Sequence, residues 1–190
     1  MSNDLKFKIS HKVTEDNSSN FTIKPLDRGY GITVGNSLRR ALLTAVPGAA
    51  ITNVKIEGAH HEFSTIDGVT EDVADVIMNL KGVRFHLFES SVEPIFLKVK
   101  GPKAFTAADI QAASDDFTIL NPDHYITDIA KGTTLEVELR LGIGKGYKSS
   151  DENKLNNSPV GMIPIDSIFN PVTNVSFNVS PLPGAKEDTE

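Results

Sequence analysis

The residues T-V-G-N-S-L-R-R-A-L-L-T-A-V (33–46), ended by Pro47-Gly48, decide how this chain folds. Val34, Leu38, Ala41, Leu42 and Ala45 recur at the three-and-four spacing that stacks side chains on one face of a helix. Pro-Gly is a stop signal for that helix. Leu43 and Val46 extend the apolar face sideways, so the stripe is wider than a single packing partner covers. Gly35 sits within it and permits close backbone approach. Arg39 and Arg40 are consecutive, point about 100° apart, and form no patch by themselves.

Outward from this helix the pattern changes to short strands. Upstream, residues 14–20 (T-E-D-N-S-S-N) read as a polar lead-in loop, and Phe21 to Leu26 alternates as a half-buried strand does. Downstream, Ala50 to Glu57 alternates again, and residues 60–65 read as a loop or short strand. A second helix is predicted from Thr70 to Lys81, capped by Thr70 and closed by Gly82 in the left-handed C′ position. Val69, Val73, Val76, Ile77 and Leu80 form its core face. Strands are predicted at 83–88, 95–100, 117–120 and 133–141, with one helical turn at 106–110. Residues 142–158 are rich in Gly, Lys, Asn and Ser and read as an extended loop. Met162 to Phe169 and Val172 to Val179 read as two final strands around Asn170-Pro171, before a polar tail from Pro181. The class is α+β: two good helices on largely antiparallel strands.

Composition narrows the function. The net charge of −6 and the lack of any Lys/Arg concentration argue against unaided nucleic-acid binding. The absence of cysteine removes disulfides, thiolate nucleophiles and cysteine-ligated zinc. Met1 to Ser10 lacks the apolar centre of a secretory signal, and no run approaches the ~20 apolar residues of a membrane span; a cytoplasmic location is expected. Three features invite a catalytic reading; one, Asp27 beside Arg28, is adequately explained as a turn ion pair. Gly142-Ile143-Gly144-Lys145-Gly146 looks like a phosphate cradle, but a P-loop needs Ser or Thr after the lysine, where Gly146 stands. His60-His61-Glu62 has adjacent histidines that diverge, whereas a zincin helix spaces them four apart. The residues alone thus describe a soluble α+β protein with an over-wide apolar helix. A small phosphate- or nucleotide-binding enzyme using the Gly142–Tyr147 loop stays open as the alternative.

Longer runs carry more. P-L-D-R-G-Y-G-I-T-V-G-N-S-L-R-R-A-L-L (25–43) is followed by I-E-G-A-H-H-E-F-S-T-I-D-G-V-T-E-D-V (56–73), N-L-K (79–81), N-P-D-H (121–124), G-K-G-Y (144–147) and P-V-G-M-I-P-I-D-S-I-F-N-P-V (159–172). In this order they resemble the N-terminal part of the bacterial RNA polymerase alpha-subunit family. The resemblance implies a chain without catalytic site, cofactor or metal of its own, whose complex keeps its magnesium-dependent chemistry in other subunits. It implies a discontinuous dimerisation subdomain, 1–48 with 171–190, and a mainly antiparallel β insert, 49–170. A second alpha protomer would meet Gly35, Asn36, Leu38, Arg39, Leu42 and Leu43. The beta subunit would dock on Arg40 and on the neighbouring loop with His61, Glu62, Phe63, Ser64 and Gly68. The beta-prime subunit would dock near Lys81 and Ile165. In the family a second long helix completes the dimer interface and a DNA-binding C-terminal domain follows. Residues 1–190 alone are therefore expected to dimerise weakly or to self-associate non-specifically, and to make no direct DNA contact.

Overall fold

The computed structural model describes residues 7–14, 17–59, 61–88, 93–155 and 157–182. By their contacts they group into two compact units, residues 1–43 with 174–190, and residues 44–173.

The first unit opens with β1 (Lys8–Thr14) and β2 (Ser18–Lys24), paired antiparallel from Lys8 opposite Lys24 to Thr14 opposite Ser18. Of the segment expected to be a lead-in loop, Thr14 ends β1 and residues 18–20 open β2. The alternation from Phe21 onward marked the second half of β2, but its side chains are mostly exposed, and β1 with the start of β2 is solvent-facing and carries no such pattern. Asn17 takes the left-handed conformation at φ 57°, which Asn tolerates better than most residues. His11 and Phe21 are cross-strand partners, stacked at 4.6 Å.

Helix α1 (Tyr30–Thr44) starts three residues earlier than the apolar period suggests, because the Tyr30 amide already donates to the Asp27 carbonyl at 3.0 Å. It stops at Thr44, and Pro47-Gly48 begins the following strand instead of directly closing the helix.

The second unit is built on a six-stranded antiparallel sheet. Its strands are β3 (Pro47–Ile56), β4 (Phe85–Leu87), β5 (Ile95–Lys100), β7 (Phe117–Ile119) and β9 (Thr134–Lys145), in the order β5-β9-β3-β4-β7, with β11 (Ile163–Pro164) also on β3. A bulge between Ile51 and Asn53 shifts the β3–β9 register. The sheet's core face carries Val54, Ile56, Leu97, Val137 and Leu139; the other carries Lys55, Lys98, Glu136 and Glu138. A separate pair joins β6 (Lys103–Thr106) to β8 (Tyr125–Ile129), with the short helix α3 (Ala107–Gln111) following β6.

Helix α2 (Val73–Lys81) buries Val73, Val76, Ile77 and Leu80 against this core, four of the five positions expected on its core face; Val69 lies before the helix, half-buried and bridged to Ile129. The cap is Asp72 and not Thr70: its carboxylate accepts the Asp75 amide at 2.8 Å. Gly82 is right-handed at φ −76°, so its need for glycine is spatial. A Cβ there would lie 2.5 Å from His124 Nε2, which bonds the Asn79 carbonyl at 2.8 Å.

The two final strands predicted near the end are mostly absent. Only β11 and β12 (Ser167–Ile168), the latter paired with β10 (Tyr147–Lys148), are regular. A buried side-chain network replaces the ladder. Asn153 Nδ2 donates to the Ile165 carbonyl at 2.7 Å, and the Ser167 hydroxyl to the Ile51 carbonyl at 2.6 Å. Residues 172–182 satisfy no strand pattern.

Candidate partner-docking surfaces

The first surface lies on α1. Of its residues only Gly31 is buried. Leu38 is 43% and Leu42 37% exposed, one helical turn apart, and Tyr30 and Ile32 extend the exposed apolar area. Asn36, Arg39 and Arg40 are exposed and Leu43 is half-buried. Not every residue assigned to an interface is free for one. Gly35 is covered from within its own unit by Phe177, whose ring Cδ2 would stand 2.4 Å from an added Cβ. Arg39 Nε donates to the Val175 carbonyl at 3.1 Å. Segment 174–182 thus braces the helix on one side while the leucine row stays open.

In the second unit, loop 61–72 is held from both ends. The Ser64 amide donates to the His61 carbonyl at 3.1 Å, and the His61 amide to the Ser64 hydroxyl at 3.3 Å. Phe63 is left 79% exposed at the tip. Gly68, at φ +79°, lies where a Cβ would meet Thr133 Oγ1 at 2.0 Å, so both its conformation and the space demand glycine. Glu71 anchors the far end, accepting hydrogen bonds from the Tyr125 and Thr127 hydroxyls and the Asp128 amide. Desolvation pushes the Glu71 carboxyl up, but the donors from Thr127, Tyr125 and Asp128 together hold it below the usual carboxylate range. Nothing in the sequence pattern announced this clamp, whose parts lie 54 to 57 positions apart. His60 lies outside the described residues.

The third cluster joins the end of α2 to segment 163–168. Lys81 Nζ lies 3.6 Å from Asp166, whose other oxygen accepts the Ser150 amide at 2.8 Å. Ile165 is 3% exposed, part of the core, and its amide donates to the Thr52 carbonyl at 2.9 Å. The accessible groups beside it are the half-buried Lys81 and Asp166 and the exposed cross-strand pair Tyr147 and Ile168. The Ser150 amide, against desolvation and helped by Lys81, holds the Asp166 carboxyl below its ordinary 3.8. A depressed folded pKa contributes stability that is present above the unfolded value and lost as pH falls through the folded one. Asp166→Asn should therefore lower the melting temperature at pH 7, and the gap to wild type should shrink as pH falls through and below the ordinary carboxylate range. Parallel thermal melts across that range check this; an unchanged gap would exclude the carboxylate as its source.

The family described as the RNA polymerase Rpb3/RpoA insert domain matches residues 54–170, from β3 to beyond β12. The chain belongs to the RNA polymerase alpha-subunit family. The DNA-directed RNA polymerase subunit alpha of Salinibacter ruber is 51% identical over 87% of this chain and 51% of its own length. That of Chloroherpeton thalassium is 47% identical over 84% and 48%. For Limosilactobacillus reuteri the figures are 48% over 89% and 54%. The chain spans about half the length of these alpha subunits.

In this alpha-family chain the Gly142–Tyr147 segment is not a phosphate loop. It is strand: β9 runs through to Lys145, with Gly144 opposite Gly48 and Gly142 opposite Ala50. Its glycines make room for Phe169. A Cβ on Gly144 would come within 2.6 Å of the Phe169 ring, and one on Gly48 within 1.9 Å of the Phe169 carbonyl oxygen. The Gly146 carbonyl is taken by the Phe169 amide at 2.8 Å. The glycine run serves packing, and no anion cradle forms. Among the described residues no group of three or more His, Asp or Glu side chains is placed to hold a metal ion. Nor is any helix among them long and apolar enough to cross a membrane.

Proposed function

We propose that this chain is an assembly scaffold of DNA-directed RNA polymerase: it dimerises through α1 and presents the dimer to the beta and beta-prime subunits, which carry the magnesium-dependent chemistry. The observation that carries the reading is the open leucine row on α1, since an exposed apolar stripe on an otherwise ordinary helix marks a protein contact. The second alpha protomer takes that row. The beta subunit docks on Arg40 and the 61–68 loop, where Phe63 supplies an exposed aromatic anchor. The beta-prime subunit docks around Lys81 and the Asp166–Ile168 segment. The chain works in the cytoplasm and contacts no DNA through residues 1–190.

Two experiments test this. Purified protein given template, nucleotides and magnesium should make no RNA; template-dependent synthesis that survives stringent repurification would overturn the reading. Arg40→Ala should weaken capture of the beta-type subunit by about 2 kcal/mol, roughly thirtyfold, with circular dichroism showing the fold retained. Titration of immobilised variant against the beta-type subunit measures it. Wild-type affinity would remove Arg40 from the docking site.

A further inference from the structure

β7 ends one side of the six-stranded sheet, with β4 along one edge and no further strand among the described residues along the other. The Leu120 amide donates to the Arg84 carbonyl, and the Phe88 amide to the Asp116 carbonyl. Antiparallel pairs alternate, so Asp116, Thr118 and Leu120 turn their backbone groups to β4, while Phe117 and Ile119 turn theirs outward. Outward groups of this kind template pairing with another chain. Here two of them are already taken. Gln111 Nε2 donates to the Phe117 carbonyl at 2.9 Å, and the Ile119 amide donates to Gln111 Oε1 at 2.7 Å. One side-chain amide, donor on one side and acceptor on the other, thus makes the two bonds that one residue of an added strand would make.

The short helix α3 holds that amide in place. Ala107 and Ile110 are fully buried, and at the helix start the Asp109 carboxylate accepts the Thr106 amide at 3.1 Å. Gln111 Nε2 donates also to the Ser114 carbonyl at 3.3 Å, which helps to fix the plane of the side chain. The surroundings make an open edge hazardous. Phe88, 60% exposed, stands at one end of the β4–β7 ladder, and Leu120, 67% exposed, at the other. Freed, Phe117 and Ile119 would match the same two residues of a second copy, antiparallel about Thr118. We infer that Gln111 is an edge stop: its side-chain amide occupies β7 and keeps this end of the sheet from pairing with a second copy of the chain. The inference rests on none of the roles proposed for α1, the 61–72 loop or the Lys81–Asp166 cluster.

Hydrogen exchange resolved to single amides, with light scattering on the full-length protein, tests it. Gln111→Met keeps the side chain's length and removes its amide. At the lowest concentration the Ile119 amide of this variant should exchange at least tenfold faster than in wild type. The Thr118 amide, turned to β4, should change less than twofold. As concentration rises, the variant should exceed the wild-type mass and Ile119 should regain protection. Gln111→Met combined with Thr118→Lys sets lysine against lysine across the pairing axis. That double variant should keep both the fast Ile119 exchange and the wild-type mass at every concentration. Unchanged Ile119 exchange in Gln111→Met would overturn the inference, as would a wild-type mass throughout. So would association without renewed protection at Ile119, or equal association of both variants. Loss of Thr118 protection together with Ile119 would overturn it too, because Gln111 would then hold β7 onto the sheet instead of closing its edge.

Discussion

Placing Asp at both Leu38 and Leu42 should leave the full-length protein monomeric at concentrations where the wild type is a dimer. Each leucine is already about 40% exposed on the isolated helix, so the fold loses little by the change. Two Asp residues inside a helix cost roughly 0.5–0.7 kcal/mol each in propensity. The interface loses far more. Each missing leucine forfeits about 1–2 kcal/mol of burial, and each carboxylate brought against an apolar partner surface costs about 1–3 kcal/mol or more in desolvation. The twofold axis of a dimer doubles every substitution. A total beyond about 5 kcal/mol weakens association by over ~10³-fold. Light scattering across a dilution series, with circular dichroism to confirm the helix, reads the result. A double variant that dimerises like wild type would place the interface elsewhere.

Phe169→Ala should destabilise the second unit by about 3–5 kcal/mol, the usual loss for a buried aromatic. Phe169 is buried, with its ring packed against Gly144 and its carbonyl oxygen against Gly48. Neighbouring glycines have no side chains with which to refill the ring's slot, so the cavity cannot collapse cheaply. Gly144→Val should be destabilising from the opposite direction, by about 1–3 kcal/mol, because its side chain enters the ring's volume. Urea unfolding of both variants measures these costs. Added phosphate should leave their midpoints and the wild type's unmoved, since the slot is filled by a ring. A phosphate-dependent gain in stability mapped to this segment would restore the cradle reading.

What the sequence revealed followed the strength of its periodicities. Helix α2 was legible because Val73, Val76, Ile77 and Leu80 all face one core, and β5 was legible because its alternation is strict. Of the β1–β2 hairpin only the second half of β2 was, because exposure on both faces leaves the rest no pattern to read. The segment after Gly142 was misread as a loop because glycine signals flexibility in a sequence. Here its missing side chain is what a ring 25 residues further on requires. The exposed row of α1 was visible as excess apolar width. Yet Phe177 over Gly35 and the Val175 carbonyl on Arg39 depend on a segment with no regular structure, which no local pattern marks. The Glu71 clamp and the Lys81–Asp166 bridge join positions 54 to 85 residues apart, and only the fold brings such partners together. Ile165, whose apolar character reads as core, is core: it is 3% exposed.

Native mass spectrometry of the full-length protein mixed with the beta-type subunit of the same organism tests the scaffold reading most directly. The account predicts a complex of two copies of this chain with one beta-type subunit, which then gains one beta-prime-type subunit, and no such complex from the Leu38→Asp, Leu42→Asp variant. A one-to-one complex formed equally well by wild type and variant would contradict it, because capture would then need no dimer.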